Sequence, residues 1–354
     1  MPKQSILAID VGAGTQDILL YEPGKPIENC VQLILPSPTA ILARRVAEAT
    51  RARQAIFLGG NLMGGGAIYG AVRAHLMAGL PVFATPLAAS TLHDDLAQVQ
   101  AMGVGLATAQ PAGTVPILLH DVDLAALGAA LAPFAVALPR TVAVAVQDHG
   151  YSPHGSNRAF RFAHWRRFVE GGGELTDLLY VEPPPYLTRM LAVQRDAPGA
   201  YLMDTGAAAI WGALCDDYVA AHSEEGVVVV NAGNGHTVAA LVRGRRVFGL
   251  AEDHTGAMTT AKLADYVSRL RAGSLSNEEV FAGGGHGCYV APDFVAGDGF
   301  RFVAVTGPNR RLAEGLGYHF AVPNGDMMLA GCFGLVAAVQ ARTDQPQRTQ
   351  RAQS

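Results

Sequence analysis

The chain has 354 residues, of which 50% are hydrophobic and 41 are glycine, enough for two domains or one large one with a complete core. Its formal net charge of −4 at pH 7 excludes the basic surface that nucleic-acid binding requires. No stretch approaches the ~18 apolar residues of a transmembrane helix and no signal peptide precedes the first apolar run, so we expect a cytoplasmic protein that contacts neither membrane nor nucleic acid.

The first element is a predicted strand, glycine turn and returning strand over 5–21. Its turn region carries small and polar residues: Asp10, Gly12, Gly14, Thr15 and Gln16. A glycine turn brings backbone N–H groups close to an anion, because no Cβ holds a phosphate away. A carboxylate beside such a turn can hold Mg²⁺, so Asp10 is the candidate metal ligand and a candidate catalytic residue. Alone, the pattern favours a plain hairpin, because hairpins with a glycine turn are common.

A second copy of the pattern lies at 227–243 and favours the functional interpretation. Its corresponding residues are Asn231, Gly233, Gly235, His236 and Thr237. Asn231 stands where the first copy has Asp10, so the second turn offers an amide without negative charge. Two spaced copies of one anion-binding turn predict two related halves that face a cleft.

Between the hairpins, apolar runs alternate with amphipathic segments. We predict helices within 36–53 and over 67–78, 92–102 and 123–131, and strands over 55–58, 81–84, 115–119 and 141–146. This alternation predicts parallel strands joined by crossover helices.

Two strand ends in this region are candidate ligand sites, because ligands of such sheets gather at the carboxyl ends of strands. The glycine loop 59–66 fits either an anionic group of a second substrate or close packing of a helix on its sheet. Asp148 and His149 follow an apolar strand and fit a base for proton removal. A turn in which Asp148 caps the local backbone fits equally well.

Arginines alternate with aromatic residues over 152–170. In an acidic protein this pattern favours a surface helix with an aromatic core face over a nucleic-acid site. Contact with an anionic substrate is the second interpretation for Arg158 and Arg161. Further along, Asp204 precedes a predicted helix at 207–214, where helix capping is the common role.

The second half continues with predicted helices at 259–270 and near 277–280. His236, Asp253, His254 and His286 follow strands or glycine turns there. They fit a divalent metal or a phosphate site, but no spacing among them is a known ligand motif, and structural hydrogen bonds are the favoured alternative.

The two hairpins, a strand at 302–305 with its following turn, and a final helix in 323–334 together resemble the superfamily of actin, sugar kinases and heat-shock chaperone ATPases. The resemblance implies an α/β fold of two ribonuclease H-like (actin-like ATPase) domains flanking a nucleotide cleft, with mixed sheets and helices on both faces. It implies that ATP and Mg²⁺ are bound and that Asp148 or Asp204 orients the nucleophile. The implied adenosine contacts are Thr306, Gly307 and Asn309.

More closely, the chain is similar to a family of that superfamily whose usual label is "putative pyruvate formate-lyase activating enzyme". The similarity includes the segments 64–66, 147–150 and 284–287. The chemistry in this label needs three closely spaced cysteines for an iron–sulfur cluster. We reject that chemistry because the cysteines have no ligand-like spacing; they are Cys30, Cys215, Cys288 and Cys332.

We therefore expect an N-terminal actin-like domain over 1–204 with an inserted α/β segment, a C-terminal one over 205–342, and a disordered tail over 343–354. The expected function is an ATP- and Mg²⁺-dependent phosphotransferase or ATPase acting on a small molecule. The alternative is a nucleotide-responsive binding or assembly protein without substantial turnover. The cysteine spacing weakens a third interpretation, an ATP-driven reductive activator. The sequence identifies no second substrate and leaves a homodimer open.

Overall fold

The computed structural model describes residues 4–297 and 299–344. In chain order, the strands within these residues are β1 (Ile6–Val11), β2 (Thr15–Tyr21), β3 (Val31–Pro36), β4 (Ile56–Gly60), β5 (Val82–Ala84), β6 (Val104–Leu106), β7 (Val115–Leu119), β8 (Thr141–Val146), β9 (Tyr201–Met203), β10 (Val227–Ala232), β11 (His236–Arg243), β12 (Arg246–His254), β13 (Gly287–Val290), β14 (Phe302–Thr306) and β15 (His319–Phe320).

The α-helices of the same residues connect and cover these strands. They are α1 (Pro38–Arg51), α2 (Gly66–Met77), α3 (Pro86–Ala89), α4 (Leu96–Ala101), α5 (Leu124–Leu131), α6 (Asn157–Glu170), α7 (Thr188–Asp196), α8 (Thr205–Ala213), α9 (Asp217–His222), α10 (Thr260–Arg271), α11 (Asn277–Ala282) and α12 (Ala330–Asp344). Side-chain oxygens cap several of them; the Ser37 hydroxyl, for example, accepts a hydrogen bond from the Ala40 N–H at the start of α1, as helix N-termini require.

Two of the three sheets that the described residues form repeat one topology. The first has the order β3-β2-β1-β8-β9, and the second has β13-β12-β11-β10-β14-β15. In both, three antiparallel strands continue into parallel ones, and β13 is an added edge strand. Their central strands β1 and β10 are apolar nearly throughout because both faces are covered. The predicted α/β fold of two ribonuclease H-like, actin-like halves is confirmed.

The predicted equivalence of the two hairpins extends to their hydrogen bonds. The Gly12 N–H donates to the Thr15 carbonyl oxygen at 2.9 Å, and the Gly233 N–H donates to the His236 carbonyl oxygen at 3.0 Å. The same turn is therefore built twice, at corresponding ends of the two central strands.

The third sheet is inserted after β3. Its order is β6-β5-β4-β7, and all its pairings are parallel, as the alternation predicted. A separate apolar cluster that includes Leu42, Val72 and Ile117 packs between this sheet and its helices. This sheet therefore has a core of its own.

Two predicted helices differ from the structure. The helix expected over 92–102 begins only at Leu96, because the Asp95 carboxylate caps it by accepting from the Ala97 N–H at 2.9 Å. The final helix begins at Ala330 instead of 323, because Asn324 and Gly325 adopt positive φ angles of 48° and 80° that no α-helix accepts.

Beyond Asp344 the expected disordered tail lies outside the described residues, whereas Thr343 and Asp344 themselves belong to α12. The domain division at 204/205 stays a prediction. In the part of the chain that is described, no helix combines the length and apolar character needed to cross a membrane.

Helices α8 and α12 pack against each other with their backbones in direct contact. A Cβ on Gly212 would overlap the Ala330 carbonyl oxygen, and one on Gly334 would overlap the Ala208 carbonyl oxygen. Both helices belong to the large core cluster that also contains residues of β1, β8, β10 and β14. Glycine at these two positions therefore allows the helix pair to pack between the two repeated sheets.

Replacing Gly334 with alanine should destabilise the protein by about 1–3 kcal/mol or more, because the added methyl group overpacks the helix crossing. The matched control is Gly70→Ala in α2, where a Cβ meets nothing within 4 Å; there the substitution should stabilise by up to ~1 kcal/mol. Urea denaturation of both variants measures the difference. Equal stability of Gly334→Ala and the wild type would contradict this packing.

Candidate functional site

A cleft of about 420 Å³ lies between the two repeated halves and the inserted segment, within the usual size of small-molecule sites. Its walls are both glycine turns, the glycine loop before α2, the segment after β8 and the first residues of α8 and α12. The walls meet where strands of all three sheets end, which is the expected position for a ligand in such folds.

Asp10 is the carboxylate at the floor of this cleft. It is 9% exposed, and its Oδ1 accepts a hydrogen bond of 2.6 Å from the Thr205 hydroxyl. Asp17 is its register partner across the β1–β2 hairpin. Burial, together with the charge of Asp17, raises the pKa of Asp10 to about 7. Two such carboxylates favour a bound cation, because a cation offsets both their burial and their repulsion.

Burial also raises the pKa of Asp17 to about 7, with a further contribution from the charge of Asp326. The Oδ1 atom of Asp17 is buried and has no hydrogen-bond partner in the part of the chain that is described. Buried polar atoms normally have partners, so this oxygen is available to a ligand, an ion or water.

Helix α12 closes the cleft against Asp10. A Cβ on Gly331 would overlap the Asp10 carboxylate, so only glycine permits this approach. Neither Gly331 nor the Thr205 hydroxyl was identified from the sequence. Both lie far from Asp10 along the chain, and no local pattern signals their contact with it.

The turn after β14, predicted as the adenosine contact, is attached to the second glycine turn. The Asn309 side chain donates to the Gly233 carbonyl oxygen at 3.0 Å, and the Asn309 N–H donates to the Ala232 carbonyl oxygen at 2.9 Å. Gly307 has a φ of 94°, and a Cβ there would lie 2.7 Å from Oδ1 of Asn231. These contacts position the two turns as one unit.

The tips of the two glycine turns meet across the cleft. A Cβ on Gly14 would lie 2.8 Å from Nδ2 of Asn234. Among the described residues, no protein acceptor receives a hydrogen bond from the backbone N–H groups of the tips, at 13–14 and 234–235. Unpaired N–H groups at the apex of a turn are the donors that an anion requires.

The structure brings most of the predicted site residues to the cleft wall. Those that line it are Asp10, Gly12, Thr15, Asp148, Asn231, Gly233, Gly235, His236, Thr306 and Gly307. Those that do not are Gly14, Gln16, Asp204, Thr237 and Asn309.

Alternation along the strands accounts for two of the exceptions. The Gln16 amide donates to the Pro36 carbonyl oxygen at 3.2 Å, and the Thr237 and Thr255 hydroxyls bond each other at 2.9 Å. Successive strand residues point to opposite faces, so Thr15 and His236 face the cleft whereas Gln16 and Thr237 do not.

A buried ion network forms one wall of the cleft. The guanidinium of Arg161, which is 3% exposed, donates to Asp204 at 2.7 and 3.1 Å and to Glu252 at 2.9 Å. Burial alone would lower the pKa of Arg161, but these two carboxylates raise it above its ordinary value. The predicted placement of the 152–170 arginines on an exposed helix face is wrong for Arg161, and Glu252 was not identified as its partner.

Asp204 serves mainly as a structural acceptor. Burial is the largest influence and would raise its pKa, but the charge and hydrogen bonds of Arg161 and the N–H groups of Gly206 and Asp148 together lower it. Its Oδ1 also accepts from the Gly206 N–H at 2.9 Å and caps α8. A carboxylate held in this way is a weak proton acceptor, because its charged form is already stabilised.

Asp148 is likewise saturated with backbone donors. Its two oxygens accept from the Gly150 N–H at 2.8 Å and the Met190 N–H at 2.9 Å. Burial raises its pKa despite these bonds. The capping interpretation of Asp148 therefore describes its geometry, and the base interpretation remains a prediction.

The glycine loop before α2 approaches an ion pair. A Cβ on Gly64 would lie 2.6 Å from Cζ of Arg189, whose guanidinium forms two bonds of 2.8 Å with Asp121. Arg189 also donates to the Gln147 carbonyl oxygen at 2.8 Å. The loop therefore serves close packing and lines the cleft at the same time.

Three histidines converge beside the second glycine turn. One ring nitrogen from each of His149, His236 and His286 lies within 4.8 Å of the others. Burial lowers the pKa of His149 to about 2 and those of His236 and His286 to about 4. The sequence grouped His236 and His286 with His254, but in the structure the third member is His149. The His254 ring lies 4.9 Å from the His236 ring, between centroids.

The chain matches the model of the family described as "Putative pyruvate format-lyase activating enzyme (DUF1786)" over residues 63–312. The chain belongs to this family. The four cysteines do not support the chemistry in that description. Among the described residues, no three of Cys30, Cys215, Cys288 and Cys332 converge as ligands.

No curated protein matches the chain. Its similarity to solved structures is low. A "putative sugar kinase" from Cytophaga hutchinsonii has 11% identity and a TM-score of 0.34, with 95% of this chain and 99% of that chain covered. A ROK family glucokinase from Streptomyces griseus, solved with glucose and AMPPNP, has 13% identity and a TM-score of 0.32, with 95% and 98% covered. Similarity at this level says nothing about the chemistry of the cleft.

Replacing Arg161 with methionine should destabilise the protein by about 3–5 kcal/mol, because Asp204 and Glu252 would be left as uncompensated buried charges. Arg166→Met on the same helix is the control. The side chains of Arg166 and its partner Glu170 are 60% and 42% exposed, so that pair should contribute less than about 1 kcal/mol. Urea unfolding of both variants provides the comparison. Equal losses would show that the Arg161 network does not stabilise the fold.

Proposed function

We propose that the protein is an ATP- and Mg²⁺-dependent phosphotransferase or ATPase that acts on a small molecule in its central cleft. The observation that carries the proposal is the pair of equivalent glycine turns. The tips of these turns meet in the cleft that Asp10 and Asp17 also line, and their N–H groups have no acceptor among the described residues. Oriented N–H groups stabilise the charge that develops in phosphoryl transfer.

The residues present fit both groups. For Mg²⁺, Asp10 would be the protein ligand, since the ion takes carboxylate oxygens and keeps part of its water shell. For the phosphates, Gly12 and Gly233 shape the turns, while the tips at 13–14 and 234–235 would donate. Gly307, on the proposed adenosine side of the cleft, lets its turn pack against the backbone of Ala232. When bound, ATP supplies the phosphoryl group and Mg²⁺ offsets its charge.

The remaining site residues would position these groups. The Thr205 hydroxyl orients the Asp10 carboxylate, and Arg161 fixes Asp204 at the start of α8. In this proposal Asp148 or Asp204 orients the nucleophile through the segments that they hold. The proposed halves, 1–204 and 205–342, would close over the cleft and exclude water. We place the protein in the cytoplasm, which fits its four free cysteines.

The alternative is a nucleotide-responsive binding protein without substantial turnover. It is favoured by the state of Asp148 and Asp204, whose oxygens are already occupied by backbone N–H groups and Arg161. Neither is a free base near the proposed phosphate site. Phosphate release and transfer to candidate substrates, measured alongside nucleotide affinity, separate the two functions.

Isothermal titration with ATP, with and without Mg²⁺, should show tighter binding with the ion. Asp10→Asn should remove this Mg²⁺-dependent gain, because an amide carries no charge to hold the ion. The control is Asp265→Asn, which changes a carboxylate that is 54% exposed. The role of Asp10 would be refuted if Mg²⁺ did not change the ATP affinity of the wild type. It would also be refuted if Mg²⁺ increased the ATP affinity of Asp10→Asn as much as that of the wild type.

Gly235→Ala tests the phosphate turn without disturbing the fold. A Cβ at Gly235 meets nothing within 4 Å, yet this residue lines the cleft. The methyl group should therefore leave stability unchanged and weaken ATP binding at least ~10-fold, or ~1.4 kcal/mol. Gly256→Ala, where a Cβ also meets nothing within 4 Å, is the control. Wild-type ATP affinity in Gly235→Ala would place the phosphates elsewhere.

A further inference from the structure

We infer that His149, His236 and His286 form a binding site for a divalent transition-metal ion of the zinc type. This site is separate from the proposed Mg²⁺ position at Asp10 and does not depend on nucleotide binding. Its ligands come from three elements: His149 follows β8, His236 begins β11, and His286 precedes β13. The site therefore joins the two repeated halves.

The distances suit a metal after a small adjustment. One nitrogen from each ring lies within 4.8 Å of the other two. Ligands about 2.1 Å from a tetrahedral ion lie about 3.4 Å apart, so shifts of about 1 Å per ring would complete the site.

The hydrogen bonding of the rings is the second observation. Both ring nitrogens of His236 and both of His286 are buried and find no hydrogen-bond partner within the described residues. His286 is 1% exposed. A buried polar group without a partner costs about 1–3 kcal/mol, and four such nitrogens in one place are unusual for a structural cluster. A metal ion would use one nitrogen of each ring.

The two nearest carboxylates have cation partners of their own. Glu252 is paired with Arg161, and Asp253 accepts from Lys262 at 2.7 Å and from the Tyr266 hydroxyl at 2.9 Å. These pairings engage the carboxylates of both acids, and the ring nitrogens of His236 and His286 have no hydrogen-bond partner among the described residues. Neutral imidazole is the form that binds a metal.

The backbone holds the third ligand in place. The His286 N–H donates to the Glu252 carbonyl oxygen at 2.8 Å, so His286 is tied to β12. The preceding residue, Gly285, packs against Asp253, since a Cβ there would lie 2.9 Å from Cγ of Asp253. Ligands fixed by a rigid backbone favour a defined coordination geometry.

The donor set selects the class of ion and its role. Imidazole nitrogens suit Zn²⁺, Fe²⁺, Cu²⁺ and Ni²⁺, whereas Mg²⁺ takes oxygen ligands. Three protein ligands leave a coordination position open, as in catalytic zinc sites. His149 and His236 line the cleft whereas His286 does not, so the open position faces the cleft. It would take an oxygen donor of the molecule bound there, such as a phosphate, carboxylate or hydroxyl oxygen.

The test begins with the full-length protein stripped with EDTA and titrated with Zn²⁺ in competition with a chromophoric chelator. We expect one Zn²⁺ per chain and a melting temperature that rises with the metal. His149→Ala and His236→Ala should each weaken Zn²⁺ binding by more than ~100-fold, which exceeds the 10–100-fold typical of second-shell residues. His154→Ala, an exposed histidine of the same segment, should bind as the wild type does.

Urea unfolding in EDTA shows whether a variant has lost only the metal site or also the stability of the fold. Without metal, both alanine variants should unfold near the wild-type midpoint. If either variant unfolds early, His149→Gln and His236→Gln repeat the titration with less change in volume. Wild-type Zn²⁺ affinity in both variants, or no binding above that of the chelator control, would overturn the site.

Substitution with Co²⁺ reports on the open position. Co²⁺ held by the three imidazoles should show visible d–d absorption that His236→Ala abolishes. Adding inorganic phosphate should shift this absorption if a coordination position faces the cleft. A spectrum unchanged by phosphate would overturn the open position and indicate a closed structural site. Asp10→Asn, which removes the proposed Mg²⁺ ligand and none of the three imidazoles, should bind Co²⁺ normally, so failure of the metal site and failure of the nucleotide site remain distinguishable.

Discussion

The close crossing of α8 and α12 is the constraint on which the arrangement of the cleft depends. Gly212 and Gly334 let the two backbones touch, and this crossing places the first turn of each helix at Asp10. One helix brings the Thr205 hydroxyl to that carboxylate, and the other brings Gly331 against it. The two helix N-termini beside this carboxylate also supply partial positive charge. This charge favours anionic ligands, whereas burial alone would disfavour them.

The cleft combines two kinds of ligand chemistry that the buried network keeps apart. Carboxylate oxygens lie on the side of the first glycine turn, and imidazole nitrogens lie beside the second. Arg161 stands near the histidines and holds Glu252 and Asp204, so these acids do not join either group. Hard ions such as Mg²⁺ and borderline ions such as Zn²⁺ would therefore meet different donor sets.

The sequence predicted those features of the site that depend on residues close together in the chain. The spacing of the two glycine turns gave their equivalence, because the bond from Gly12 to Thr15 spans only a few residues. The contacts that complete the site are remote: Arg161 and Glu252 are 91 residues apart, and Asp10 and Thr205 are 195 apart. Arginine is rarely fully buried unless paired, so its helix was assigned to the surface without knowledge of its partners. His149 belongs to the first repeated half, whereas His236 and His286 belong to the second. No local pattern could therefore group the three.

The position of α12 has a consequence for the order in which the protein folds. The Cys332 thiol bonds the Ala8 carbonyl oxygen across 324 residues, so the last described helix covers the first strand. During synthesis, the apolar face of the first sheet stays uncovered until α12 has been made, 324 residues after Ala8. Contacts of such sequence separation slow folding and leave intermediates prone to aggregation. The inserted sheet, whose core is its own, can form long before that, which makes it the natural first folding unit.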